Sequence, residues 1–355
     1  MESPAQSEPN ADGHVAGIDS LRFLAALWVV FSHFGFAPVF QHLDRSTPAG
    51  FILNAGMGVL FSGPAAVVVF FVVSGFCIHY PFVAGRPFVL VPYLIRRYVR
   101  ITIPMAMAML LTELSGVGMQ FLFGAVLWSL VAELMYYTIY PALRKIIELK
   151  KLDLLVVVSF LPGLLIWLMG PHTQGFAIFG WQWNWLLCLP CWLLGVKLAE
   201  AWAARLRAVP GDSPAHMGKW RLAVWAASSA CAALNFHSPI SFAISMNFFA
   251  ILVYFWLLRE LKHFNCDSRA SSVLEWAGTW SYSIYLCHIF VSALVLNAGI
   301  ALDPRSTLFW ALRIGAVLAA SFLFYVLIEK PSHLLARYSS KQGTRLSRKL
   351  MGLSS

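Results

Sequence analysis

Apolar runs long enough to cross a bilayer recur along almost the whole chain, and nothing else in the sequence limits its fold as strongly. A helix needs roughly 17–25 residues to span about 30 Å of hydrocarbon. Ten such runs occur, at residues 18–38, 58–82, 101–118, 126–143, 152–170, 183–200, 219–236, 241–258, 280–299 and 307–328. The third is interrupted by Thr112-Glu113-Leu114-Ser115-Gly116. With 59% hydrophobic and 12% charged residues, a water-soluble fold of this length has too little polar material for its exterior. The expected fold class is therefore all-α: a polytopic integral membrane protein with about ten transmembrane helices.

The net charge of +10 first suggests a nucleic-acid partner, but the placement of the charges argues otherwise. Ten spans put both termini on one side. With the termini inside, all but three of the 26 Lys and Arg fall on the cytoplasmic side, which is the positive-inside pattern. The exceptions are Arg45 and Arg305 in outer loops and Arg313 within a helix. No nucleic-acid partner is expected; the partner is the lipid bilayer. Residues 1–16 carry Glu2, Glu8 and Asp12 and no Lys or Arg, so they read as a cytoplasmic polar tail and not as a cleaved signal. Residues 333–355 read as a basic cytoplasmic tail. The outer loops are short, the longest being Val39 to Met57, so any chemistry is expected within or between the helices.

Charged side chains inside membrane helices are costly and mark functional candidates. In the first span these are Asp19, Arg22 and His33. Arg22 and His33 are eleven residues apart, close to three full helical turns, so they share a face about 16 Å apart along the axis. Asp19 can pair with Arg22 at i,i+3. This stripe either joins the inner surface to a histidine beyond mid-membrane, or is a snorkelling arginine and an end-capping histidine. Arg96, Arg97 and Arg100 follow the same logic. Arg97 and Arg100 share a helix face, and their forked guanidiniums suit phosphate. They read as either a cytosolic phosphate clamp or a positive-inside anchor.

Glu133, in Leu127-Trp128-Ser129-Leu130-Val131-Ala132-Glu133, is expected about two turns inside its helix from the outer end, near His33 in depth. There it would orient the histidine or make a structural interhelical bond. Glu113 and Arg313, also in outer halves, are candidate partners for each other. His288 reads as a packed, hydrogen-bonded histidine or as a residue lining the same cavity. Cys188-Leu189-Pro190-Cys191 has CxxC spacing in an apolar helix and reads as packing, not a metal or redox site. His79 at an inner helix end carries no signal. No glycine-rich phosphate loop, HExxH or serine nucleophile elbow occurs.

From Gly17 to Pro331 the chain resembles the acyltransferase-3 family, bacterial membrane acyltransferases that O-acetylate cell-surface carbohydrates. The resemblance rests on Ile18-Asp19-Ser20-Leu21-Arg22 through His33, which fits the family's Arg-x10-His pattern, and on Phe70-Phe71-Val72-Val73-Ser74-Gly75-Phe76. It continues in Arg97-x-x-Arg100, Trp128-Ser129-Leu130-Val131-Ala132-Glu133, Ser281-Tyr282-Ser283-Ile284-Tyr285-Leu286 and Ile328-Glu329-Lys330-Pro331. Six pieces in one order make the match specific. Ser32-His33 replaces the frequent Tyr-His, and Leu134 follows Glu133 where a second acidic residue is common. Many relatives carry a C-terminal esterase-like domain, so a stand-alone form is expected here, with residues 17–332 as the transmembrane acyltransferase domain.

The resemblance implies an acyl-CoA donor, most simply acetyl-CoA, with no bound cofactor and no metal. Its phosphates would rest on Arg97, Arg100 and Arg96 while the pantetheine arm passes Arg22 toward His33. Arg22, Asp19, His288, Arg313 and Glu113 are the expected channel residues, and His33 and Glu133 the catalytic pair. His33 would act as general base or be transiently acylated. The acceptor would be a hydroxyl of a surface polysaccharide, lipopolysaccharide or lipid-linked glycan, met at the bacterial inner membrane. Two other readings fit the residues: the same chemistry on a small hydrophobic molecule such as a macrolide, and a secondary transporter, against which stands the lack of clear internal repeats.

Overall fold

The computed structural model describes residues 15–35, 46–169, 180–205, 214–267 and 270–350. Among them the secondary structure is helical, with no strand. Helix α1 spans Ile18–Phe34, and α2 spans Pro48–Val59 within the predicted outer loop. Helix α3 spans Gly63–Val83 and α4 spans Leu90–Leu114. A short α5, Met119–Leu122, runs through a π turn, Phe123–Leu127, into α6, Trp128–Glu148. Two short helices follow, α7 (Leu152–Ser159) and α8 (Leu161–Leu168), then α9, Trp181–Arg205. Helices α10 (Pro214–His237), α11 (Phe242–Lys262), α12 (Ser272–Gly278) and α13 (Ser281–Asn297) come next. Helix α14, Thr307–Phe324, continues through a π turn, Tyr325–Glu329, into α15, Lys330–Leu350.

Every predicted span coincides with helix, although the ends differ and residues 36–38 and 170 lie outside the described set. Local chemistry sets several ends. Thr47 and Ser306 cap α2 and α14 through Gly50 N and Phe309 N, both at 3.1 Å. The Thr112–Gly116 interruption proves to be the end of α4, with Gly116 at φ +74° just beyond it. The span predicted at 152–170 is broken at Phe160, ahead of Pro162. The span predicted at 280–299 belongs to a pair, α12 and α13, bent by 64°. The predicted C-terminal tail begins as α15, which docks on α4. Ser340 Oγ donates to the Pro92 carbonyl at 3.1 Å, and Gly343 faces Ile95 and Val91.

Among the described residues, five helical runs are both long and apolar enough to cross a membrane, and the bent pair makes up to six. The predicted runs outside this set are α1, α4, the broken pair α7 and α8, and α10. Helix α1 is 17 residues long and holds Asp19, Arg22 and His33, while α4 holds Arg96, Arg97 and Arg100. Helices α1 and α4 supply the arginines of the site, whereas α3 and α6, which supply Ser74, Glu133 and Tyr137, lie in runs apolar enough to span.

The core is one apolar cluster in which α3 packs on α1, α9 and α11. Where α3 meets α9, a Cβ on Gly75 would strike the Trp192 carbonyl oxygen, and one on Gly195 would strike that of Val72. Two facing glycines therefore bring the backbones into contact, the small-residue packing that holds helices together where no water drives them. This fixes α3, and with it Ser74 and Cys77 on its opposite side.

Candidate active site

A cavity of about 150 Å³ lies between α1, α3, α4, α6 and α13. Its polar lining is Arg22, Ser74, Arg97, Arg100, Ser129, Glu133, Tyr137, Tyr282 and Tyr285, and its apolar lining includes Phe70, Phe71 and Ile101. Arg97 and Arg100 therefore do share a face, as their spacing requires. Helix α4 starts at Leu90, so both sit inside the helix and not at its first turn. Arg97 donates to the Cys77 carbonyl at 3.5 Å, and its guanidinium lies 5.7 Å from the Tyr137 ring centroid. Arg96 is exposed, and its charged neighbours are other cations, Arg86 and Arg337 besides Arg97 and Arg100.

Arg22 pairs with Asp19 at 3.2 Å, as predicted. The pair is set in place by α12. Ser20 N and Oγ both donate to Glu275, at 2.9 and 2.5 Å, and Gly278 lies against the Asp19 carbonyl with no room for a Cβ. A second recess of about 140 Å³, lined by Val15, Ile18, Asp19, Phe76, Tyr80 and Pro81, shares Arg22 and Cys77 with the main cavity. These two residues form the common wall.

Glu133 is not beside His33. It lines the cavity with the arginines, where Oε1 accepts from Ser74 Oγ at 2.7 Å and from Tyr137 OH. The helix begins at Met119, seven residues earlier than predicted, which puts Glu133 about 21 Å from that start, about four turns where two were expected.

His33 lies outside the cavity lining, exposed near the end of α1. Its ring is 5.1 Å from that of His288. His288 is fully buried on α13, with Nδ1 on the Tyr285 carbonyl at 2.8 Å, and its ring is 6.1 Å from the Tyr285 ring. Of the two readings of His288 the packed, hydrogen-bonded one holds: it is not among the residues that line the cavity, and its ring lies against His33. Tyr285 stands between the two regions. It lines the cavity, its hydroxyl bonds Ser129 Oγ at 2.6 Å, and its ring packs on His288.

The proposed Glu113–Arg313 pair does not form. Glu113 is exposed near the end of α4, whereas Arg313 donates to Ser292 Oγ at 2.6 and 3.2 Å and lies 4.4 Å from the Phe34 ring centroid. Helix α14 packs on α13, so Arg313 finds its partners there and on α1. The CxxC pair is buried, with Cys191 Sγ against Asn247 Oδ1 at 3.3 Å, and no metal-binding cluster occurs among the described residues. His79, without signal in the sequence, bridges Tyr140 at 2.8 Å and Glu200 at 2.9 Å and ties α3 to α6 and α9.

Sequence reasoning gave no role to Ser74, Tyr137, Tyr282, Tyr285 or Glu329. Glu329, fully buried, accepts from Ser283 N and Oγ at 3.1 and 2.5 Å. All five lie in or beside motifs that carried the family resemblance, and that was the available signal.

Three guanidiniums and a carboxylate thus line one cavity of a helical protein with membrane-spanning segments. A family profile described as an acyltransferase domain matches residues 15–326, and the chain belongs to that family, acyltransferase-3. No curated protein and no solved structure matches it.

Proposed function

We propose that this membrane acyltransferase moves an acyl group, in the simplest case acetyl, from cytosolic acyl-CoA to a hydroxyl of a surface carbohydrate or lipid-linked glycan at the bacterial inner membrane. The observation that carries the reading is the convergence of Arg22, Arg97 and Arg100 on one cavity, with the His33–His288 contact beyond Tyr285. Guanidiniums in a low-dielectric site favour phosphate strongly, and bidentate geometry suits a diphosphate. In this reading Arg97 and Arg100 hold the donor phosphates, with Arg96 as an outer contact, while the slim pantetheine arm enters along Arg22. The acceptor approaches His33 from its exposed end, so the reactants meet without a free encounter in water.

The chemistry balances simply. His33 takes the proton of the acceptor hydroxyl, and the oxygen attacks the thioester carbonyl. The C–S bond breaks, an ester forms, and the proton passes from His33 to the departing CoA thiolate. If His33 is instead acylated first, the same atoms move in two steps.

The test is His33→Ala. Purified in lipid, it should insert and accumulate as the unsubstituted protein does and lose transfer from acetyl-CoA by about 100-fold or more. Surface glycans of a deletion strain should lose O-acetyl groups that His33→Ala does not restore. Full O-acetylation by that variant sinks the mechanism, and unchanged glycans in the deletion strain sink the acceptor class.

A further inference from the structure

The second histidine of the pair has no place in the mechanism above, and its surroundings give it one. His288 is fully buried, and its Nδ1 lies 2.8 Å from the Tyr285 carbonyl and 3.3 Å from that of Ile284. Carbonyl oxygens only accept, so Nδ1 carries the proton and Nε2 is left as a bare acceptor. Among the described residues that Nε2 has no hydrogen-bond partner, and it is shielded from solvent. An acceptor buried without a partner is a cost that a leucine of similar size would avoid. Retention of the ring for packing alone is therefore a poor explanation, and the ring it touches is His33, at 5.1 Å.

We infer that His288 is a positioning residue for His33: its Nε2 accepts the ring N–H of His33 when the acyl donor and acceptor are in place. This fixes the tautomer of His33 and leaves its other nitrogen with a free lone pair toward the acceptor hydroxyl or the thioester. When His33 takes a proton, the imidazolium keeps its bond to His288, so no reorganisation is needed as charge develops. The sequence position assigned to this task, Glu133, is occupied with Ser74 and Tyr137 instead. His288 takes it over from α13, whose attitude is set by the bend after α12 and by Glu329 binding Ser283. The inference rests on the acyltransfer reading for its purpose but not for its test.

The experiment compares His288→Leu, His288→Met and His288→Gln with the unsubstituted protein in lipid nanodiscs. Leu and Met keep bulk without a strong acceptor, and Gln puts an amide oxygen near the Nε2 position. Two quantities are read: acetyl-CoA-dependent transfer, and the carbethoxylation rate of His33 by diethyl pyrocarbonate with saturating CoA and acceptor present, followed by peptide mass spectrometry. The apolar variants should be as thermally stable as the unsubstituted protein and should lose kcat by at least tenfold, with KM for acetyl-CoA within twofold. They should slow His33 carbethoxylation by threefold or more, and Gln should recover most of both losses. If Leu fails to accumulate, Met provides the apolar arm. His33 reacting at full rate in the apolar variants overturns the inference, as does Gln being no better than Leu. If no form transfers an acyl group, the functional reading falls, while the carbethoxylation series still decides whether His288 sets the nucleophilicity of His33.

Discussion

Around Arg22, Arg97 and Arg100 the polar groups are tied to one another: Arg22 to Asp19, Arg97 to the Cys77 carbonyl and the Tyr137 ring, Glu133 to Ser74 and Tyr137. Around His33 the pattern reverses. Among the described residues, His288 Nε2 has no hydrogen-bond partner, and His33 is exposed with the His288 ring beside it. A region that binds a preformed anion gains from being assembled in advance, because ordering guanidiniums at the moment of binding would cost affinity. A region that moves protons needs an acceptor left open. Under the proposed function, the contrast divides the molecule into a holding part and a reacting part, with Tyr285 as the partition.

That division breaks most visibly at the arginines. Arg97→Gln combined with Arg100→Gln should raise KM for acetyl-CoA by about 100-fold while leaving kcat within threefold, since charge-assisted bonds are worth about 1.5–3 kcal/mol each. Acetyl-pantetheine, which lacks the diphosphate and the nucleotide, should be used as well by the double variant as by the unsubstituted protein. Equal losses on both donors would mean that these arginines hold the helices together instead of the phosphates.

Glu133 sharpens the comparison, because its sequence and its structure assign it to different halves. Glu133→Gln keeps the acceptor oxygen for Ser74 and Tyr137 but removes a negative charge from a cationic cavity. The donor should then bind more tightly, with KM falling about threefold, an effect of the size expected for one nearby charge partly screened. Carbethoxylation of His33 should not change. A slowed His33 would return Glu133 to the reacting half and make it a second positioning group.

What could be read from the sequence follows a physical line: relations within one helix were legible, relations between helices were not. The Asp19–Arg22 pair and the common face of Arg97 and Arg100 follow from helical geometry over three residues. Glu133 with Ser74, 59 residues apart, and Arg313 with Ser292 and Phe34 depend on how helices pack, which hydropathy does not encode. Depth failed for a related reason. Hydropathy marks where a helix is apolar and not where it starts, so the turn at Met119 and the π turn after it set Glu133 further from its helix start than expected. The ten apolar segments coincide with helix, five or six of them apolar and long enough to span, yet α4 extends upstream to Leu90, because a helix rich in arginine does not look like one bound for lipid. The motifs did place Tyr285 and Glu329 within the matched blocks, but a motif gives a residue an address and not a partner.

The finest cut falls on the partition itself. Tyr285 meets the cavity with its hydroxyl on Ser129 and the Val126 carbonyl, at 2.6 and 3.3 Å, and meets His288 with its ring. Tyr285→Phe removes only the first of these. Ser129 keeps its own bond to Val126 at 3.0 Å, so no buried group is orphaned, and the stability loss should be about 1 kcal/mol. If the ring is what separates the two halves, kcat and KM should each stay within threefold, and His33 should be carbethoxylated at its usual rate. If the hydroxyl bond is what holds the passage shut, the same variant should hydrolyse acetyl-CoA without an acceptor, because water would reach the thioester from the exposed His33 end. Measuring acceptor-free CoA release separates these outcomes, and a rise above about threefold would move the boundary between the halves from the tyrosine ring to its bond with α6.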